Sequence, residues 1–484
     1  MRVDVAIVGA GFAGLGMALA LRDAGHESFV LLERAAGVGG TWRENVYPGV
    51  ACDVPAHLYG FENRPNPDWS GLYARGDEIQ GYLGSVAAEF SQQIRTHAPL
   101  LRAAWDGAAW QLDVGGRHSG RIEARALVVA CGRLTEPKVP DIAGLQSFPG
   151  PMFHSARWDH TVPLDGARVA VVGTGASAVQ LVPALAARGA AVTLFQRTPA
   201  WIVPRGARRY TDAEREAFAA DPTALESLRA ALFDEGEARY ASRSGDAEAA
   251  ASAREVALAH LAAQVADPAL RAALTPAYAF GCKRVLLSDD FYPTLASGAV
   301  TLEPSALHGV EGSTLIAASG ARHDADVLVL ATGFEAAQQP YAQLIEGEGG
   351  VTLAEHWGRG MTSYASTLVP GFPQLYVLNG PNASLGHNSA VLMMEAQARF
   401  VARCLETRGT IAVSPELEAA YSAEIDARAA TTPWIAGGCR NWYVDERSGR
   451  LTLLWPGTVT EFRALLDGID PADLVAVPAA EGIA

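Results

Sequence analysis

Residues 3–25 read VDVAIVGAGFAGLGMALALRDAG and decide the fold of the N-terminal part of the chain. The segment begins as a continuous apolar strand, turns through Gly9, Gly11 and Gly14, and continues with apolar residues at helical spacing. The three glycines allow a tight turn, a close approach of the backbone to a pyrophosphate, and close packing of helix on strand. A second strand ends at Glu33, whose carboxylate can accept a hydrogen bond from a ribose hydroxyl. The pattern predicts a Rossmann-like unit that binds a dinucleotide.

The same pattern recurs at residues 167–198, ARVAVVGTGASAVQLVPALAARGAAVTLFQRT. Gly173, Gly175 and Ser177 follow a strand and precede a helix, and the next strand ends near Arg197 and Thr198. A guanidinium favours a 2′-phosphate, whereas a carboxylate repels one. We therefore expect a dinucleotide without that phosphate in the first unit and NADP in the second. Two different dinucleotides imply hydride transfer between them.

The composition excludes several kinds of partner. The 484-residue chain is 49% hydrophobic, which is enough for about three domains with buried cores. It has 38 Lys and Arg against 53 Asp and Glu, and this net charge of −15 opposes binding to nucleic acid or an anionic membrane. The apolar run at residues 5–21 contains four glycines, so no membrane insertion is expected. Small molecules or other proteins are the expected partners, and the oligomeric state is left open.

The five cysteines are far apart and have neither CxxC nor zinc-ligand spacing. We expect no metal site and a cytoplasmic protein whose cysteines are structural thiols in a reducing compartment. They are Cys52, Cys131, Cys282, Cys404 and Cys439.

Two further segments predict where the chain passes between the nucleotide units. RALVVACGRLTEP at residues 125–137 and DADVLVLATGFEA at residues 324–336 each read as a strand that runs into a turn of small residues. We therefore predict a discontinuous first domain (1–145 and 370–484) and a second domain (151–205 and 280–369). Residues 206–279 are rich in Ala, Glu and Arg and predict a helical insert. It either shapes substrate access or is exposed without substrate contact.

Two long motifs resemble those of a known family. GGTWRENVYPGVACD at residues 39–53 resembles the [AG]GxWxxxx[FY]PGxxxD signature of the type I Baeyer–Villiger monooxygenases, which are class B flavoprotein monooxygenases. FPGPMFHSARWD at residues 148–159 resembles their second signature, FxGxxxHxxxW followed by Pro or Asp, and precedes the second glycine turn as in that family.

This resemblance implies a fold, a reaction and a site. The fold is α/β, with Rossmann-like domains for FAD and NADP and a helical insert. The reaction converts a ketone and O2 to an ester or lactone through a C4a-peroxyflavin, with NADPH as reductant. Arg284 and Asp53 are the implied catalytic residues. Asp53 would orient the Arg284 cation, which can stabilise the negative charge of the peroxyflavin and of its adduct with the ketone. The cofactor-binding residues are Gly9, Gly11, Gly14, Glu33, Gly40, Thr41, Trp42, Tyr47, Asp53, Tyr59, Gly173, Gly175, Ser177, Arg197, Thr198, Lys283, Thr332 and Gly333.

Several alternatives stay open. The related flavin-containing monooxygenases oxygenate sulfur or nitrogen instead of a ketone. A flavoprotein sensor without turnover is another possibility, whereas a disulfide reductase needs a CxxxxC pair that the sequence lacks. His154 is interpreted as a structural residue of the linker between domains. His387 either contacts flavin or substrate or caps a helix that begins near Asn388, and Trp442 with Tyr443 either closes the site or packs in the core.

Overall fold

Two sheets organise the chain, which a computed structural model describes over residues 1–476. The strands are, in chain order, β1 Arg2–Val8, β2 Phe29–Leu32, β3 Ile94–Arg95, β4 Leu100–Trp105, β5 Trp110–Val114, β6 Gly120–Val129, β7 Met152–His154, β8 Arg168–Val172, β9 Ala191–Phe195, β10 Ile202–Val203, β11 Leu286–Leu287, β12 Val300–Glu303, β13 Leu307–Glu311, β14 Thr314–Ala317, β15 Arg322–Asp324, β16 Val327–Leu330, β17 Ile345–Glu346 and β18 Leu375–Val377. The helices are α1 Phe12–Asp23, α2 Thr41–Glu44, α3 Gly76–Ala88, α4 Ala176–Ala187, α5 Asp212–Ala220, α6 Pro222–Ala238, α7 Ala247–Gln264, α8 Pro268–Leu274, α9 Phe291–Ala296, α10 Leu353–His356, α11 Ala390–Glu406, α12 Pro415–Ala429, α13 Pro433–Ala436 and α14 Val459–Asp467.

The first sheet has eight strands in the order β17-β4-β5-β6-β1-β2-β3, and β18 also pairs with β6. β1 lies parallel to β2, with Val5 opposite Phe29, and parallel to β6, with Val5 opposite Ala126. β4 and β5 form an antiparallel extension. The continuous apolar sequence of β1 is explained by its position, because both of its faces are covered. α1 and the C-terminal α11 pack in the same core, so distant parts of the chain complete one unit.

The second sheet is entirely parallel, in the order β12-β9-β8-β16-β7. Its central strand β8 is the strand before the second glycine turn, and α4 crosses from it to β9. A small antiparallel sheet, β13-β14-β15, packs against this unit through Leu307, Val310 and Leu315. The two Rossmann-like units confirm the predicted α/β fold class.

The predicted helical insert is present as α5 to α8. Each helix begins at a side-chain cap that satisfies otherwise unpaired backbone amides: Thr211, Asp221, Asp246 and Asp267. The insert is anchored to the first unit, because Arg229 of α6 donates hydrogen bonds to the carbonyl oxygens of His57 (2.7 Å) and Gly60 (3.1 Å). Within residues 1–476, no helix is both long enough and apolar enough to cross a bilayer.

The prediction that all five cysteines are free thiols is wrong. Cys282 and Cys439 form a disulfide that closes a separation of 157 residues. Cys52, Cys131 and Cys404 are free. The pairing depends on the approach of the C-terminal segment to the segment before Arg284, and sequence spacing cannot reveal that approach.

Candidate active site

The first glycine turn has no room for larger residues. Gly9 has a φ of +108°, and a Cβ there would lie 2.4 Å from the carbonyl oxygen of Ala130. A Cβ on Gly14 would lie 1.9 Å from the oxygen of Gly9. The Glu33 carboxylate accepts hydrogen bonds from the amides of Ala10 (3.1 Å) and Ala35 (2.9 Å) and so fixes the turn against the end of β2.

The second turn repeats this geometry. Gly173 has a φ of +113°, and a Cβ there would lie 2.4 Å from the oxygen of Ala331. The N-caps of α1 and α4 are Gly11 and Gly175, and neither helix has a side-chain cap, unlike the helices of the insert. Their first amides are therefore available to anionic groups, and the phosphates of two dinucleotides fit these positions.

Two cations lie beside the second turn. Arg197 is exposed and is the second residue after β9, and the Thr174 hydroxyl donates to the carbonyl oxygen of Thr198 at 2.8 Å. Lys283 places its ammonium 5.0 Å from the Tyr278 ring centroid. Burial, with a smaller contribution from the charge of Arg197, lowers the pKa of Lys283. Ser177 lies in the first turn of α4.

The segment at residues 39–53 connects the two units. It contains one helical turn, α2, in which the Trp42 indole donates to the Tyr59 hydroxyl at 3.3 Å. Tyr47 donates to Gln180 Oε1 of α4 at 3.0 Å. Burial raises the pKa of Tyr47 to about 12, so the phenol stays protonated. A Cβ on Gly49 would lie 2.8 Å from the carbonyl oxygen of Gln180. The turn can come this close to α4 because glycine has no Cβ.

Arg284 and Asp53 meet where these segments converge. Arg284 donates to Asp53 Oδ2 from Nε at 3.0 Å and from Nη2 at 2.6 Å. The side chains are 33% and 24% exposed, so the pair borders solvent. The Asp53 charge raises the pKa of Arg284, against the opposing effect of burial. This guanidinium is a fixed cation at any ordinary pH.

The crossover from β16 lies beside the linker histidine. Thr332 donates to the carbonyl oxygen of Lys138 at 2.5 Å, and Gly333 has a φ of +85°. His154 accepts a hydrogen bond from the Ala156 amide at Nδ1 and stacks edge-on against Phe334. Burial lowers the pKa of His154 to about 4, so the ring is neutral at pH 7.

The C-terminal aromatic residues and His387 differ in their environments. Tyr443 is buried, whereas Trp442 is 38% exposed and packs on Tyr443 at 4.5 Å between centroids. His387 is buried beside Tyr240 of the insert, 3.7 Å from Glu237. It does not cap α11, because Ser389 is the N-cap and α11 begins at Ala390.

Two buried arginines were not predicted from the sequence. Arg133 lies in the quoted crossover segment ACGRLTEP and is 7% exposed; Arg243 lies in the insert and is 9% exposed. An arginine after a strand that ends near the flavin site was the available signal for Arg133. Nothing in the sequence indicated Arg243, because its burial depends on how the insert docks.

Comparison with known proteins identifies the family. Residues 6–210 match the family model described as pyridine nucleotide-disulphide oxidoreductase. A Baeyer–Villiger monooxygenase of Streptomyces coelicolor is 43% identical over 481 residues, which cover 97% of this chain and 92% of the relative. A solved steroid monooxygenase bound to NADP is 30% identical with a TM-score of 0.85 and 98% coverage of both chains. The enzyme called OTEMO, solved with FAD and NADP, is 25% identical with a TM-score of 0.85, covering 96% of this chain and 97% of that one.

These relationships confirm the predicted family, its reaction and its dependence on FAD and NADPH. The chain belongs to the Baeyer–Villiger monooxygenases, flavoproteins that insert one oxygen atom beside the carbonyl group of a ketone.

Proposed function

We propose that Arg284, held by Asp53, is the cation that stabilises the negative charge formed while oxygen from O2 is inserted beside a ketone carbonyl. The observation that carries this role is the two hydrogen bonds from Arg284 to a single oxygen of Asp53. A charge that is already oriented needs no reorganisation when negative charge develops, and it acts most strongly where water is scarce.

FAD, reduced by NADPH, supplies the activation of O2 when it is bound. The protein residues orient the reacting groups, exclude water from the site and provide positive charge. Buried Trp42 and half-buried Tyr59 pack edge-on against each other, and Tyr443 is a further buried aromatic residue near Arg284. Apolar walls of this kind lower the local dielectric constant and so strengthen the effect of the guanidinium.

We also propose roles for the two glycine turns. The FAD pyrophosphate binds at the backbone of Gly9, Gly11 and Gly14. The FAD ribose binds at Glu33. The flavin end of FAD binds at the segment that contains Gly40, Thr41, Trp42 and Tyr47. Gly173, Gly175 and Ser177 receive the NADPH pyrophosphate, with Thr332 and Gly333 at the adjoining crossover. The 2′-phosphate is bound by Arg197, Thr198 and Lys283. The effect of the Arg197 charge on the pKa of Lys283 supports this assignment.

The domain division at residues 145, 151, 205, 280 and 370 is likewise a proposal. The two sheets and the uncapped helices support it, although the short strand β17 pairs with β4 of the first sheet. A cytoplasmic location is also proposed, on the ground that NADPH is supplied there, and cell fractionation tests it.

The decisive experiment supplies the purified enzyme with NADPH, air and a mixture of a ketone and a thioether. Mass spectrometry with ¹⁸O2 then measures which product gains one labelled oxygen. The proposal expects a labelled ester or lactone in wild type and its loss in Arg284→Ala with FAD still bound. Sulfoxide as the sole product would contradict the assignment of a ketone substrate.

A further inference from the structure

Arg133 is a buried cation held by neutral groups. It follows β6 and donates hydrogen bonds to the Leu453 carbonyl oxygen (3.0 Å) and to Asn379 Oδ1 (2.7 Å). Leu453 adjoins Thr452, whose amide donates to the carbonyl oxygen of Tyr443. Arg133 is thereby fixed to the C-terminal segment that carries Tyr443.

Arg243 is a second such cation, and it comes from the insert. Its Nη1 donates to the carbonyl oxygen of Arg239 and to the Ser242 hydroxyl, each at 3.0 Å. Within residues 1–476, Nε and Nη2 of Arg243 have no hydrogen-bond acceptor. Neither nitrogen is completely shielded from solvent. Cγ of Arg243 lies 3.5 Å from the position that a Cβ on Gly281 would occupy. Gly281 is three residues before Arg284 in the chain. Arg243 therefore retains free donors close to the proposed catalytic cation.

Neither cation has an acidic partner. In the part of the chain that the structure describes, no carboxylate lies within salt-bridge distance of Arg133 or Arg243, whereas Arg284 is paired with Asp53. Burial lowers the pKa of each arginine to about 10, and the positive charge of Arg284 also lowers both pKa values. The Tyr443 phenol raises the pKa of both, against the effect of burial.

We do not expect the cofactors to balance this charge. Their phosphates are expected at the glycine turns, and one negative charge on bound flavin would offset only one of the two cations. The nicotinamide ring of NADP adds a further positive charge. A buried unpaired cation is unfavourable unless an anion compensates it. An anionic group on the substrate would compensate this charge.

We propose that the substrate is a ketone that also carries a carboxylate, which the free donors of Arg243 bind while Arg284 acts at the carbonyl. Arg133 adds to the positive potential that attracts the carboxylate, since its own terminal nitrogens are already occupied. This inference rests on the proposed function and specifies the substrate class of the same site.

The test uses linear methyl ketones that bear a terminal carboxylate at increasing distance from the carbonyl, together with the methyl esters of the same acids. The measured quantity is the ratio of kcat/KM for each acid to kcat/KM for its ester, followed as oxygenated product. We expect a ratio above about 10 in wild type for at least one chain length, since a charged hydrogen-bonding pair is lost in the ester. Arg243→Gln should lower this ratio roughly 10–100-fold, and Arg243→Lys should retain part of it.

The matched control is Arg215→Gln on the same insert, because Arg215 already pairs with Asp212 and has no contact with Arg243 among the described residues. It should leave the ratio unchanged. A wild-type ratio near one, or an equal loss of acid and ester turnover in Arg243→Gln, would overturn the inference and assign the cation to the flavin or to folding. If neutral ketones are not oxygenated either, the proposed function itself fails, so the two failures are distinguishable.

Discussion

Arg284 directs both Nε and Nη2 at the same oxygen of Asp53, at 3.0 and 2.6 Å. In a fork-to-fork pair, each nitrogen would meet a different oxygen. Here Arg284 makes no hydrogen bond to Oδ1 of Asp53. The carboxylate thus orients the guanidinium from one edge, and Arg284 still presents positive charge on the solvent-exposed side of the pair.

Replacement of Arg284 by alanine should abolish most ketone oxygenation while FAD stays bound. Loss of one oriented charge contact of this kind costs about 10²–10³ in kcat. Arg284→Lys should rescue little, because an ammonium cannot reproduce the guanidinium geometry. Product formation by mass spectrometry and bound FAD by absorbance provide the measurements. The control is Arg440→Ala, which removes an exposed arginine that pairs with Glu446 and should retain full activity.

Asp53→Asn should give a milder defect of the same type. The amide keeps the size and one acceptor oxygen but removes the charge that orients Arg284, so we expect a loss of about 10-fold or more in kcat. KM for NADPH should change little. A variant as inactive as Arg284→Ala would mean that Asp53 does more than orient the arginine.

Arg197→Ala should raise KM for NADPH about 10–100-fold and affect KM for NADH much less, since only NADPH carries the 2′-phosphate. Lys283→Met should act in the same direction, because Lys283 is assigned to the same phosphate and its pKa responds to the charge of Arg197. Steady-state NAD(P)H oxidation measures both. Arg188→Ala provides a control on the same unit, because this arginine pairs with Asp165 near the end of α4. Equal losses with both coenzymes would remove Arg197 from the phosphate site.

The disulfide predicts a defined thiol count and a stability difference. Denatured, unreduced protein should expose three thiols, from Cys52, Cys131 and Cys404, and reduced protein should expose five. Cys282→Ser should lower the free energy of unfolding by about 2–5 kcal/mol, because the bond closes a long loop. Reductant should destabilise wild type but not this variant. Five thiols without reductant would contradict the disulfide.

Local patterns predicted the nucleotide units, because β1, β8 and their glycine turns are determined by short-range geometry. Composition predicted the helical insert, because helix propensity is also a local property of the sequence. The disulfide and the environment of Arg243 were not predictable. Each depends on how the segments around Gly281 and Cys439 approach one another, which no local periodicity records. The sequence therefore predicted the cofactors better than the substrate pocket.

His154 should make the stability of the enzyme sensitive to acid. Its folded pKa is about 4, against about 6.5 for an unperturbed histidine, so the unfolded chain binds more protons between these values. The contribution of His154 is fully present above pH 6.5 and is lost as the pH falls towards 4, by up to about 3 kcal/mol. His154→Asn retains an acceptor for the Ala156 amide without the titration, so its unfolding free energy should fall less steeply over this range. Denaturant unfolding at several pH values measures the slope, and exposed His118→Asn is the control. Identical slopes for wild type and His154→Asn would show that the ring titrates alike in the folded and unfolded states.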